Sequence, residues 1–289
     1  MKIGFTLAII LLVSASAITA ELNAVILNAP RIDKGKLRVL PNDHGIDLEK
    51  YGISVRFYWL TNEKTLDREA QKLGISTAEF KERFAEKLAP EPDTFVEALS
   101  KAKFLYIAQY SGEAMNPLAQ KPEYAEAVRK FLKNGGTLFL DLFSVCSYAT
   151  KLLDAGGIAS PCVVQNDHKG LYPVVPSGAA VKHPLLNFPH KIRGRQSAYG
   201  GYYSSAFPGQ LPLFVKETST EFPAVILQEK AFGKGRVIFC QVPAFFRNST
   251  SDVEAGKMLE NILSYVYDVD IRKEAARKLE ESGGPGEDI

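Results

Sequence analysis

Gly135 and Gly136 stand between an amphipathic helical stretch and a run of apolar residues, and this junction constrains the fold more than any other feature of the chain. Before it, Pro122 suits a first helical position, and Ala125, Val128, Phe131 and Leu132 recur at helical spacing. The glycines end that helix where a positive φ is needed. Thr137 to Leu142 then reads as a strand without polar alternation, as does Phe104 to Ala108 before the helix. Strands of that kind are covered on both faces. The stretch from Lys101 to Gly157 is therefore one βαβ crossover, followed by a turn at Phe143 to Cys146 and a second helix. The fold class it predicts is α/β: flavodoxin-like, doubly wound, mostly parallel, with helices on both faces. Such sheets hold ligands at the carboxyl ends of their strands. Tyr110, Asp141, Ser144 and Cys146 lie there, and Tyr110, Asp141 and Ser144 are the first candidate ligand-binding residues.

The amino terminus has the form of a secretory signal. Lys2 precedes an apolar run from Phe5 to Val13, and small residues follow up to Ala20. The run is shorter than the roughly 20 residues that a spanning helix needs. Residues 1–20 are thus expected to be removed, leaving a secreted or periplasmic chain with no stable membrane span. The formal charge of +2 offers no basic field for nucleic acid. Three cysteines, Cys146, Cys162 and Cys240, make an odd count. In an exported protein Cys146 and Cys162 could pair, whereas Cys240 sits in an apolar strand as a small core residue. No His and Cys spacing matches a metal site, and no cofactor is expected.

One α/β domain is expected over residues 21–275. Asn23 to Asn28 and Ser54 to Leu60 are early strands with little helix between them, which suggests an elaborated edge or an antiparallel pair. Residues 65–90 form a charged helical insertion, broken at Gly74 and restarted by a capping box at Ser76, with Phe80, Phe84 and Leu88 on one face. Asp93 is expected to cap the next helix. Residues 158–210 are rich in Gly, Pro, Tyr and Ser, and read as an irregular surface excursion with short strands. Strands resume at Pro223 to Gln228 and Arg236 to Val242. A last helix carries the stripe Met258, Leu259, Ile262, Leu263, Val266 and Tyr267. Residues 276–289 are expected to be a disordered tail.

Four phrases, FLKNGGTLFLD, KHPLLNF, AFGKGRVIFCQVP and MLENILSYV, occur in an order that resembles the class I glutamine amidotransferase-like superfamily. The branches they resemble are ThuA-like proteins and the trimerisation-type domain of β-galactosidases. In true amidotransferases the resemblance implies a nucleophilic Cys on a tight elbow and a His-x-Glu pair after the last core strand. Cys146 matches the elbow's location, but Tyr148 stands where a Gly would permit the sharp turn. Pro243-Ala244-Phe245-Phe246 replaces the His-Pro-Glu. A lone thiol without a base is mostly protonated at neutral pH. His183, in the excursion, is the remaining candidate base for a Cys146–His183 pair.

Arg193 to Tyr203 adds rings, guanidinium groups and an amide suited to carbohydrate, with Arg195 and Tyr202 as candidate ligand contacts; the same residues also suit a Tyr-rich strand edge packed on backbone. The expectation is an exported, non-catalytic amidotransferase-like domain, a ligand-binding or accessory protein for a small polar ligand or carbohydrate. Two alternatives stay open: a hydrolase using Cys146 or Asp141, and a structural assembly subunit that forms a homo-oligomer through an exposed Phe80–Phe84 face.

Overall fold

The computed structural model describes residues 22–38, 48–88, 91–107, 118, 121–141, 153, 163–165, 171–199, 201–203, 206–242 and 253–281. Tyr110, Ser144, Cys146 and Cys162 fall outside these residues, as do the signal segment and residues 282–289.

One nine-stranded sheet organises the chain. Its first half is parallel, in the order β4 (Ile53–Trp59), β1 (Leu22–Asn28), β5 (Phe104–Ile107), β6 (Thr137–Asp141) and β13 (Gly235–Cys240). Numbered by their own sequence, these five strands run 2-1-3-4-5, the flavodoxin-like order. The doubly wound α/β fold expected from the sequence is thus present. The second half is antiparallel: β12 (Ser219–Ala231), β11 (Gln210–Lys216), β8 (Leu171–Pro176) and β9 (Gln196–Tyr199). Two small ribbons accompany it, β2 (Arg31–Asp33) with β3 (Lys36–Arg38), and β7 (Val163–Gln165) with β10 (Gly201–Tyr203).

Helices cover both faces of the parallel half. On one face α3 (Pro92–Lys101) and α4 (Pro122–Lys133) pack on Val25, Leu27, Leu105, Ile107, Leu138 and Leu140. On the other, α5 (Val253–Tyr267) and α6 (Ile271–Glu281) pack on Ala24, Ile26, Phe104, Phe139 and Ile238. Gly135 has φ +98°, which ends α4. Gly136 is needed for space instead, because a Cβ there would lie 2.4 Å from the Phe131 ring.

Several local expectations are corrected. The early strands β1 and β4 are not an antiparallel pair; they run parallel, Ile26 opposite Phe57, and β4 is the sheet edge. Among the described residues, the link between them holds the β2–β3 hairpin and a 3₁₀ turn at Glu49–Tyr51. Glu91, not Asp93, occupies the N-cap of α3, without a side-chain cap. Helix α6 runs to Glu281, so residues 276–281 are helical and not tail.

The insertion forms α1 (Glu63–Leu73) and α2 (Thr77–Arg83), and Ser76 caps α2 by accepting from Glu79 N–H as expected. Its aromatic face turns inward. Phe80 is fully buried, stacked on Trp59 at 6.1 Å, with Phe84 at 5.5 Å from the same indole. The Phe80–Phe84 face expected to support assembly is therefore spent on packing within the chain.

Much of the excursion is also built in. Beyond β8 and β9, it contributes Leu185, Leu186 and Ile192, all fully buried against α5. Asn261 of α5 pins it: Nδ2 donates to the carbonyls of Leu185 and His190 at 2.9 and 2.8 Å, and Oδ1 accepts from His190 N–H at 2.9 Å. A buried carboxamide that pairs three backbone groups replaces the ladder that this irregular chain cannot form.

Candidate functional site

At the carboxyl ends of the parallel strands, the apolar sheet gives way to a row of buried polar groups. Asn28 closes β1 and Asp141 closes β6, exposed by only 2% and 1%. Register places them level with each other. Leu27 lies opposite Ile107 and Ile107 opposite Leu140, so Asn28 and Asp141 each stand one step further along. Cys240 lies directly across from Asp141 on β13. With β5 between them, Asn28 and Asp141 are about 10 Å apart, two strand spacings.

Strand alternation puts this row on one face. Ile26, Tyr106, Phe139, Ile238 and Cys240 belong to the cluster under α5, and Asn28 and Asp141 continue the same period. Tyr106, the penultimate residue of β5, donates its hydroxyl to Asp141 Oδ2 at 2.7 Å. Asn28 Oδ1 accepts from Ala29 N–H at 2.8 Å, which leaves Nδ2 as the donor this side chain can offer. Cys240 Sγ accepts from Val242 N–H at 3.3 Å and is the buried free thiol expected of a core residue. The row straddles β1 and β5, where the strand order reverses, the place at which open parallel sheets leave a crevice.

On the opposite face, one residue beyond β13, Gln241 is fully buried. Neither carboxamide atom has a hydrogen-bond partner among the described residues. Its own N–H reaches Ala224 O at 2.8 Å. Nearby, Tyr203 of the β7–β10 ribbon packs edge-on against Phe239 at 6.2 Å. The ribbon that carries Tyr202 thus lies beside the carboxyl half of β13; Tyr202 itself pairs with Val164 through its backbone.

The other sequence candidates are placed elsewhere. His183 caps a 3₁₀ turn, its Nδ1 accepting from Leu185 N–H at 3.2 Å. Its ring meets Tyr265 at 5.3 Å, and Nε2 lies 3.9 Å from Glu229. Arg236 sits over the same Tyr265 ring at 4.4 Å. Arg236, the second residue of β13, lies opposite Thr137, four residues and about 13 Å before Asp141 along β6. His183 is therefore at the amino end of the sheet, away from the polar row. Burial pushes its imidazole below the ordinary value, with Glu229 opposing that shift and Arg236 adding to it. Arg195 is exposed and pairs with Glu217 at 2.7 Å, beside β9 at the far edge, five strands from β6.

Of the candidates read from the sequence, Asp141 alone is described at the strand ends. Asn28, Tyr106 and Gln241 were missed. Asn28 and Gln241 are polar residues that follow apolar runs, VIL and VIFC, and that signal was available. Tyr106 reads as a core aromatic, and only the pairing of β5 with β6 shows where its hydroxyl goes. Among the described residues no group of His, Cys, Asp and Glu could hold a metal ion.

No known family profile matches the chain, and neither does any curated protein. Solved structures do. PurLQS of Thermotoga maritima matches at TM-score 0.50 and 13% identity, over 85% of this chain and 99% of its own. A cytoplasmic protein of Salmonella typhimurium LT2 matches at TM-score 0.51 and 13% identity, with the same coverage. A ThuA-like protein of Bacteroides uniformis matches at TM-score 0.44 and 13% identity, over 88% of this chain and 94% of its own. At these identities, the first two likenesses establish the fold and nothing about catalytic residues. The third is too weak to argue from.

Proposed function

We propose that this chain is an exported, non-catalytic member of the amidotransferase-like fold, a ligand-binding or accessory protein for a small polar ligand, with carbohydrate as the class its side chains suit. The observation that carries this reading is the level pair Asn28 and Asp141 at the strand-order reversal, with the Tyr106 hydroxyl donating to Asp141. These polar groups are buried at the carboxyl ends of central strands, where such sheets bind ligands. An amide donor and a carboxylate acceptor about 10 Å apart suit different hydroxyls of one sugar, since each hydroxyl both donates and accepts.

The hydrolase reading finds less support. His183, the base available to Cys146 in sequence, lies at the other end of the strands with Nδ1 already accepting a backbone N–H. The assembly reading loses its face, because Phe80 is buried under Trp59.

The test is a thermal-shift screen of the purified protein against millimolar mono- and oligosaccharides. At least one sugar should raise the melting temperature, and Asn28→Ala should abolish that rise. A ligand at a hundred times its Kd stabilises by about 2.7 kcal/mol, well within detection. A panel without any stabilising sugar, or turnover of glutamine or activated esters that Cys146→Ser removes, would overturn the proposal.

A further inference from the structure

The amino ends of β5 and β6 carry a concave site at the opposite end of the strands from the polar row. Where α3 and α4 finish, a cavity of about 330 Å³ opens between them. That volume is within the range of small-molecule pockets. Its apolar lining is Val96, Leu99, Ala102, Ala127 and Phe131, and three lysines, Lys101, Lys103 and Lys130, line it as well. Leu99, Ala127 and Phe131 are buried in the fold, at 3%, 5% and 5% exposure, whereas the lysines are exposed.

Two features give this cavity a specific chemistry. The first is its shape. Small residues at 102, 127, 135 and 136 leave the space open, and Phe131 lies so close over Gly136 that a Cβ there would sit 2.4 Å from the ring. A side chain at 136 would drive the ring out of place, so the apolar wall depends on that glycine. The second is charge. No carboxylate lines the cavity. Two acids on the same helices are engaged by other cations: Glu97 by Lys101 at 2.6 Å, and Glu126 by Arg129 at 3.1 Å. Lys103 and Lys130 have no ion-pair partner among the described residues. An apolar hollow with uncompensated cations at its mouth is complementary to a molecule with an apolar body and one anionic end.

We infer that this cavity binds a small amphiphilic anion, a monocarboxylate with an aliphatic or aromatic body. The body lies against Leu99 and Phe131, and the carboxylate meets Lys103 and Lys130. Asp141 closes the far end of β6 and Asn28 that of the neighbouring β1, so this site is separate from the one proposed for polar ligands, and either can fail without the other.

Octanoate and octanol share an apolar body and differ in charge, which makes them the probes. Titration calorimetry on the purified protein should show saturable octanoate binding at millimolar concentration, and octanol weaker by about tenfold, the scale of one or two partly exposed ion pairs. The double variant K103E/K130E should lower octanoate affinity by at least that factor while leaving octanol unchanged. Equal affinity for the two probes, no binding of octanoate, or full octanoate affinity in the double variant would overturn the inference. Should that variant fail to fold, amine acetylation of the wild-type protein decides: octanoate should protect Lys103 and Lys130 but not Lys133, and equal labelling of all three would refute the site.

Discussion

The two halves of the sheet are built differently. In the parallel half, β5 and β6 are buried at every position, and the ladders of β4, β1, β5, β6 and β13 run in step without register shifts. In the antiparallel half, the β11–β12 ladder shifts register between residues 212 and 214, again between 214 and 215, and again between 215 and 216. Four of its ladder positions are prolines, Pro173, Pro176, Pro212 and Pro223, none of which can donate a backbone hydrogen bond. Its order comes from outside the strands: from Leu185, Leu186 and Ile192 under α5, and from Asn261, which pairs the backbone that the ladder leaves over. One half follows from local pattern, whereas the other is assembled on the first.

The seam between the halves is the most sensitive place to test this. A Cβ on Gly235 would lie 2.3 Å from Leu132 O of α4 and 2.6 Å from Ala231 O of β12. Both are backbone atoms and cannot swing away. Gly235→Ala should cost at least about 3 kcal/mol in urea unfolding, the upper part of the overpacking range. A loss below about 1 kcal/mol would mean that the halves can shift against each other, and the seam would not be rigid.

A matched pair of truncations comes next. Leu105 lies in the parallel half and Leu185 in the excursion, and both are fully buried. Leu105→Ala and Leu185→Ala should each cost about 3 kcal/mol, because cavity formation does not depend on how regular the surrounding backbone is. If Leu185→Ala stayed within about 0.5 kcal/mol, as surface changes do, the excursion would be decoration and the comparison would fail.

Asp141→Asn is a smaller change, since the amide oxygen still accepts from Tyr106. It should lower stability by about 1 kcal/mol, the difference between a charged and a neutral acceptor. A stability loss without any effect on sugar binding would assign Asp141 to holding the β5–β6 end rather than to a ligand.

The smallest effect is titration in the antiparallel half. His183 has its pKa lowered from 6.5, with burial the largest cause. Between that lowered value and 6.5, the unfolded chain holds a proton that the native imidazole does not. Stability should therefore decline as pH falls from 6.5 toward the native value, and this group should contribute no slope above 6.5. His183→Asn keeps an acceptor for Leu185 N–H and removes the titration, so its stability should vary less over that window. An unchanged pH profile would place the sensitivity elsewhere.

The parallel half was legible because its signals are short-ranged. Pro122, the stripe on α4, the two glycines and the apolar β6 lie within about twenty residues, and each follows from a helix or strand period. Strand β11 carries no such short-range signal, because Pro212 breaks its pattern and its burial depends on partners on both sides. The site divides the same way. That polar residues gather where strands end is written in the sequence, at Asn28, Asp141 and Gln241. Tertiary structure alone decided that Asn28 and Asp141 stand level on one face, that Tyr106 serves Asp141 from the next strand, and that His183 lies at the opposite end. Local pattern fixes which residues form a strand and which face each presents, while the neighbours, register and end at which a side chain lands are set by pairings between residues far apart in the chain.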